Sequence, residues 1–357
     1  MKKQKENILL ADCEIEEVRE FADALSFCSE PFRIRAHIAN WKRNGVFSEL
    51  KRYGMYFYVS FLYFIKRRHY GMIVGWQQFY ALIFCFWCTL FSVKKQNVVM
   101  ALNFTYKEKK GKLAKLYKWF MNRCVNPQYL DYIHVLSEEY AELIHSQFSF
   151  PRERILVTSF GVNDEFEKFI QYPVPQGFEK DGYALAIGRS NRDYDFLVRA
   201  WEDIDIPLVI ISDTFQSNID SKNISLLNDV AGEASYPWIA NCGLMIIPIA
   251  DGRVCSGDTV LLTAMSVQRK IVVTVPSTLA EMYVIDGENA IVCEKNIDKF
   301  SKAVDKVLYS EQYAELGERA RMSFLKKFTR KSMGEQLTVK LSGSSGNGTI
   351  ISEGTVS

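Results

Sequence analysis

Three short stretches in the second half of the chain carry residue types suited to holding a phosphorylated ligand. The first, Gly188-Arg189-Ser190-Asn191-Arg192, lies between an apolar strand-like run and a helix-like one. In an open α/β sheet ligands collect beyond the carboxyl ends of the strands, and an arginine there offers a phosphate a planar pair of donors. Arg192 is the preferred phosphate clamp and Arg189 its neighbour; the competing use of either is an ion pair with Asp193 or Asp195. The second is Cys255-Ser256-Gly257-Asp258-Thr259, followed by apolar positions at helical spacing through Thr263 and Met265. Ser256 and Gly257 suit a helix start, whose free backbone N–H groups can receive a pyrophosphate. Asp258 fits the helix dipole yet repels a closely approaching phosphate, so the contact should come from backbone and hydroxyls. In the third, Glu281 can hydrogen-bond sugar or ribose hydroxyls, whereas Asp286-Gly287-Glu288-Asn289 is a plain turn.

Two α/β units are needed to position these residues, and 357 residues suffice for them. The first half alternates strand and helix patterns: a strand at Asn7–Leu10, a helix at Glu14–Leu25 and a strand near Arg33–Ile38. An aromatic, basic segment from Ser48 to Gly71 then reads as a helix with little water around it. Met72–Val93 is long enough to span a bilayer, but Gln77 and Gln78 favour a buried strand followed by a helix. Strands at Asn97–Ala101 and Tyr132–Leu136 flank a lysine-rich helix at Tyr106–Arg123. The prolines and glycines of Tyr172–Gly182 are the expected linker. Beyond it the alternation resumes, with strands at Tyr183–Ile187, Pro207–Ile211, Cys242–Ile249, Lys270–Val275 and Ala290–Cys293. The expected domains are 1–170, an open α/β sheet, and 171–335, with a parallel sheet, and the Gly- and Ser-rich 336–357 is an expected disordered tail.

Composition excludes several classes. With 48% hydrophobic residues and a formal charge of +2, the chain is neither fibrous nor globally attractive to nucleic acid. Its eight cysteines, Cys28 among them, lie mostly in apolar runs and read as reduced core residues. Cys85 and Cys88 form a CxxC without the second pair or histidine a zinc site requires. No two of the four histidines stand at metal spacing, and Asp193-Tyr194-Asp195 and Asp203-Ile204-Asp205 sit where caps and turns use aspartate, so no metal is expected. Short of a signal-peptide core at its start, the chain is expected in the cytoplasm. The basic groups Lys66-Arg67-Arg68, Lys94-Lys95 and Lys107–Lys118 adjoin aromatic segments, as suits peripheral contact with an anionic membrane.

The run GRSNRDYDFLVRAW, then SGDTVLLTAMSVQRKIVVT, then AEMYVIDGENAIV resembles the nucleotide-binding domain of the retaining glycosyltransferases of family 4, which have the GT-B fold. Arg154–Phe166 is similar to the segment that ends the first domain there. The likeness spans Tyr132–Lys327 and is most specific over Tyr183–Cys293. It implies an α/β chain of two Rossmann-like domains facing each other across a cleft. The implied activity is transfer of a sugar from a nucleoside diphosphate sugar to a glycan or lipid-linked acceptor in bacterial surface polysaccharide synthesis, retaining, metal-independent and without a bound cofactor, at the inner face of the cytoplasmic membrane. By this resemblance Arg192 takes the place of the family's phosphate-binding lysine and Arg189 that of the arginine after the strand glycine, Gly188, with Ser190 in the same loop. Ser256, Gly257 and Thr259 take the places that meet the diphosphate. Cys255 and Thr263 stand where the family commonly has two glutamates, and Asp12-Cys13-Glu14 where it often has a glycine-rich loop. Trp76, Gln77, Gln78 and Asn103, which follow strand candidates in the first domain, are the acceptor-binding candidates; structural roles compete for all four. Two other classes are a non-catalytic binding subunit, which the missing glutamates would suit, and a sugar-nucleotide epimerase, which would require proton-carrying side chains.

Overall fold

The computed structural model describes residues 5–25, 31–38, 46–111, 113–217 and 221–345; Cys28 and residues 346–357 lie outside them. The chain forms two compact units, one of residues up to Ser159 together with those from Arg330, the other of Phe160–Thr329.

The first unit opens with strand β1 (Glu6–Ala11), helix α1 (Ile15–Ala24), strand β2 (Phe32–Ala36) and helix α2 (Val46–Ile65). It continues with β3 (Tyr70–Gly75), α3 (Gln78–Leu90), β4 (Val98–Ala101), α4 (Ala114–Cys124), β5 (Tyr132–Val135), α5 (Glu138–Phe148) and β6 (Ile155–Val157). The strands form one sheet in the order β2-β1-β3-β4-β5-β6, every adjacent pair parallel. Ile8 to Ala11 of β1 are fully buried, as expected of a strand covered on both faces. The chain doubles back between β1 and β3, so the loops after these strands border the switch point of the sheet. The stretch 72–93 is β3 and the 13-residue α3, and among the described residues no helix is long and apolar enough to cross a membrane.

The second unit holds α6 (Phe166–Phe169), β7 (Ala184–Ile187), α7 (Tyr194–Ala200), β8 (Leu208–Ile211), β9 (Ile224–Leu227), α8 (Tyr236–Asn241) and β10 (Leu244–Ile247). After these come α9 (Asp258–Ser266), β11 (Lys270–Val275), α10 (Thr278–Tyr283), β12 (Ile291–Glu294), α11 (Ile297–Tyr309) and α12 (Leu316–Lys327). Its parallel sheet runs β12-β11-β10-β7-β8-β9, the doubly wound order with the switch point between β7 and β10. One layer packs α9 and α12 on the sheet through Leu261, Met265 and Phe324; the other packs α7 and α11 through Leu197, Trp201, Phe300 and Val304.

Four expectations are corrected. The domain boundary lies at Ser159/Phe160 rather than 170/171, and Tyr172–Gly182 belongs wholly to the second unit. Its prolines and glycines shape a surface loop held by Asn241, whose Nδ2 donates to the Tyr172 and Pro173 carbonyls, and by Phe178 against Tyr183 and Trp238. Second, residues 336–345 are not a disordered tail but part of helix α13 (Arg330–Ser345), which lies on α1 in the first unit. Met333, Leu337 and Leu341, four apart, are fully buried there, an apolar stripe masked by the surrounding Gly and Ser. Third, the lysine-rich helix begins at Ala114, since Gly111 takes a left-handed φ of 90° that an α-helix does not contain. Fourth, α2 exposes one face to water, including Phe47, Leu50 and Tyr58.

Candidate functional site

The loops after β7 and β10 meet at the switch point of the second sheet. Gly188 follows β7 with a φ of 145°, and Asp193 caps α7 by accepting from the Phe196 N–H at 3.1 Å. Between them Asn191, in left-handed conformation at φ 56°, binds the other loop. Its Oδ1 accepts from the Asp251 N–H at 2.7 Å, and its Nδ2 donates to the carbonyls of Asp251 and Val254. Thr278 donates from both backbone and hydroxyl to the Gly252 carbonyl at 2.8 Å, tying α10 to the same loop.

This scaffold lays the Arg192 guanidinium between two glycines. Built Cβ atoms would stand 2.9 Å from its Nε at Gly188 and 2.6 Å from its Nη2 at Gly257, so any larger residue at either place intrudes on the arginine. Its Nη1 donates to the Ser190 carbonyl at 3.2 Å and reaches that of Ser256 at 3.5 Å. Burial lowers the pKa of Arg192, with Tyr194 and Asp258 acting in the opposite direction, yet a guanidinium keeps its charge at neutral pH. Beside it, Gly257 is the N-cap of α9 in left-handed conformation, and among the described residues no side chain caps that helix. A cation and a helix start are thus brought to one place, the combination that attracts a phosphate.

Gly188, Ser190, Arg192, Ser256, Gly257 and Asp258 gather here, Ser256 donating from Oγ to the Ser190 carbonyl at 3.4 Å. Arg189 does not join them. Its exposed side chain pairs with Asp213 at 2.8 Å, a different carboxylate from either neighbour expected in sequence. Asp193 pairs instead with Lys295 at 3.2 Å, and Lys295 also donates to the Ala250 carbonyl. Cys255 and Thr259 are exposed around the start of α9, and Thr263 lies one turn further on, half-buried. Although the residue as a whole is exposed, neighbouring protein atoms desolvate its sulfur, and together with the nearby Asp258 this raises the Cys255 thiol to about 11, so it is protonated at neutral pH where a glutamate would be charged. Glu281 is exposed in the first turn of α10. Asp286–Asn289 is the turn expected, closed by Asn289 Oδ1 accepting from the Ile285 N–H. Among the described residues no three His, Cys, Asp or Glu side chains group as metal ligands.

Sequence reasoning gave Asn191 and Lys295 no role. The only signal for Asn191 was an asparagine in a loop after a glycine, where left-handed backbone is common. For Lys295 there was none, since its partners are 102 and 45 residues away.

In the first unit, the four acceptor candidates lie at the carboxyl ends of β3 and β4, and each is engaged structurally. Trp76 stands edge-on to Phe21 at 5.1 Å with Arg330 over its ring at 4.5 Å. Gln77 caps α3 and donates to Asp12, which also accepts from the Tyr56 hydroxyl. Gln78 is buried, donating to the Thr105 carbonyl and hydroxyl and accepting from the Thr105 N–H. Asn103, at φ 50°, donates its N–H to His134 Nδ1, and its buried Oδ1 has no hydrogen-bond partner among the described residues.

No protein-family model matches the chain, and no curated protein matches it in sequence. Solved structures do. A glycosyltransferase from Rickettsia africae is 14% identical with a TM-score of 0.61, over 97% of this chain and 100% of that one. Anabaena HepE in complex with UDP and glucose is 12% identical with a TM-score of 0.62, over 94% and 99%. The lipopolysaccharide outer core galactosyltransferase WaaB is 12% identical with a TM-score of 0.60, over 95% and 99%. Two Rossmann-like domains of the GT-B type are the fold shared with these structures.

Proposed function

We propose that this GT-B chain is a glycosyltransferase that moves a sugar from a nucleoside diphosphate sugar to a glycan acceptor. The observation that carries the reading is Arg192, held between Gly188 and Gly257 where the β7 loop meets the start of α9. When the bond from the sugar to the diphosphate breaks, negative charge grows on the departing phosphate. A fixed guanidinium and uncapped backbone N–H groups stabilise that charge without having to reorganise. The positive charge needed is provided by side chains, so the proposed reaction requires no metal and no bound cofactor. Arg189 can contribute only after leaving Asp213, so its part is the lesser one. HepE, solved with UDP and with UDP-glucose, is consistent with a uridine nucleotide as donor.

The finer reading is of a retaining enzyme of bacterial surface polysaccharide synthesis, acting on a lipid-linked acceptor at the inner face of the membrane. Its support is the motif likeness to the retaining family, the fold shared with WaaB, and the basic aromatic segments of the first unit. Ser190, Ser256, Thr259, Thr263, Cys255 and Glu281 would line the donor, and Trp76, Gln77, Gln78 and Asn103 the acceptor side, Asn103 offering the one of these four side chains with a buried oxygen unpartnered among the described residues.

The test is nucleotide release from a panel of UDP- and GDP-sugars, with and without lipid extract. Release that depends on the extract supports a transferase. Conversion of the sugar nucleotide with no acceptor would identify an epimerase, and binding without turnover a non-catalytic subunit.

A further inference from the structure

In a water-exposed helix, apolar residues normally turn inward, and α2 and α4 depart from that rule. On α2, Phe47 (88% exposed), Leu50 (68%), Tyr58 (63%) and Ile65 (56%) recur at a spacing that puts them on one stripe. On α4, Leu116 (59%) and Trp119 (42%) do the same. The two helices are neighbours, both packed on α3, with the Phe57 and Phe120 rings 5.6 Å apart, so the stripes form one face. An apolar patch of this extent on a soluble unit marks a contact surface.

Charge decides what the face contacts. Along Val46–Arg68 there are five basic residues and along Leu113–Val125 three, with a single carboxylate, Glu49, already bound to Arg52 at 2.6 Å. Lys66 and Arg68 follow the end of α2, and Lys115 and Lys118 alternate with the exposed apolar residues of α4; all four are exposed. Among the described residues none of these four has a carboxylate partner. A second copy of the chain meeting this face would bring like charges together, so charge complementarity argues against self-association through it. Aromatic and aliphatic side chains ringed by lysines suit an interface where acyl chains lie beneath anionic headgroups.

We infer that the joint face of α2 and α4 is a membrane-docking surface that seats on anionic lipid. The inference deepens the proposed reading by naming the surface that meets the membrane, and its test is separable from that reading. Full-length protein is cosedimented with vesicles of phosphatidylcholine alone or mixed with phosphatidylglycerol, and nucleotide binding is measured in parallel. Binding is expected to the mixed vesicles only and to weaken with salt. Lys115→Glu with Lys118→Glu should weaken it by more than tenfold, at roughly fivefold per basic residue near the surface. Because both side chains are exposed, circular dichroism and nucleotide affinity should be unchanged. Leu116→Ser with Trp119→Ser should also release the protein. The inference is overturned if the protein ignores both vesicle types, binds them equally, or binds as tightly after charge reversal. It is overturned too if the Leu116→Ser, Trp119→Ser variant instead dissolves a homodimer. Vesicle binding without nucleotide binding would sink the transferase reading and leave the docking surface standing.

Discussion

A Cβ at Gly257 would stand 2.6 Å from Nη2 of Arg192, closer than real side chains approach one another. Gly257 also has a φ of 107°, where an L side chain is strained. Gly257→Ala should therefore displace the guanidinium while costing about 1–2 kcal/mol of stability. If Arg192 is the phosphate clamp, donor turnover should fall about as far as in Arg192→Ala, where loss of one charge-assisted donor is worth about 2.7–4 kcal/mol, or 10²–10³ in rate. Steady-state kinetics and calorimetric titration with UDP check this; an Arg192→Ala enzyme with unchanged rate removes the residue from the site.

Asn191 acts at one remove, through three hydrogen bonds to the loop that carries Ser256 and Gly257. Asn191→Gly keeps the left-handed backbone accessible and deletes the latch alone. The expected outcome is a several-fold rise in the KM for donor, a smaller change in kcat, and a stability loss of about 2–3 kcal/mol at about 1 kcal/mol per bond. Asn191→Asp should be worse than Gly, because a carboxylate would then face the Asp251 and Val254 carbonyls. Equal KM in wild type and Asn191→Gly would show that the loop holds itself.

What the sequence disclosed and what it hid separate along physical lines. Central strands such as Leu244–Ile247 are buried on both faces and read as unbroken apolar runs, so the sheets were legible. Arg192 and the start of α9 were legible too, because loops after strands are where α/β sheets place their ligands. The four-residue β9 at the sheet edge carries too little pattern to announce itself. The return of the chain to the first unit was hidden for another reason: α13 is held by partners some 300 residues away, and its composition resembles a linker. Asn191 shows the same limit at the site, since its hydrogen bonds cross 60 residues of sequence.

His134 gives a pH dependence. It is fully buried, its Nδ1 accepts from the Asn103 N–H, and its Nε2 therefore carries the proton shared with Thr158 Oγ1 at 2.9 Å. Burial lowers its pKa to about 4 from an ordinary 6.5. In the window between these values the unfolded chain binds a proton that the folded one does not, so this contribution to stability is whole above about 6.5 and is lost as pH falls toward 4. Between pH 7 and pH 5 the loss should be about 2 kcal/mol in urea denaturation. NMR titration should find one histidine ring titrating near 4; four rings all titrating near 6.5 would refute the assignment.

The return of α13 to the first unit predicts a long-range stability effect. A Cβ at Gly334 would lie 2.7 Å from the Phe21 carbonyl oxygen and 2.9 Å from the Ala24 Cβ, so the two helices touch backbone to backbone at this point. Thr338 reinforces the contact by donating to the Ala24 carbonyl. Gly334→Val must push α13 away from α1, and overpacking of this kind costs about 1–3 kcal/mol. Leu337→Ala, which empties a fully buried position on the same stripe, should cost about 2–5 kcal/mol. The two changes lie in one interface and should be less than additive, whereas either should add to Arg192→Ala, which belongs to the other unit. Thermal denaturation of the single and double variants checks this. Wild-type melting in Gly334→Val would mean that α13 does not rest on α1.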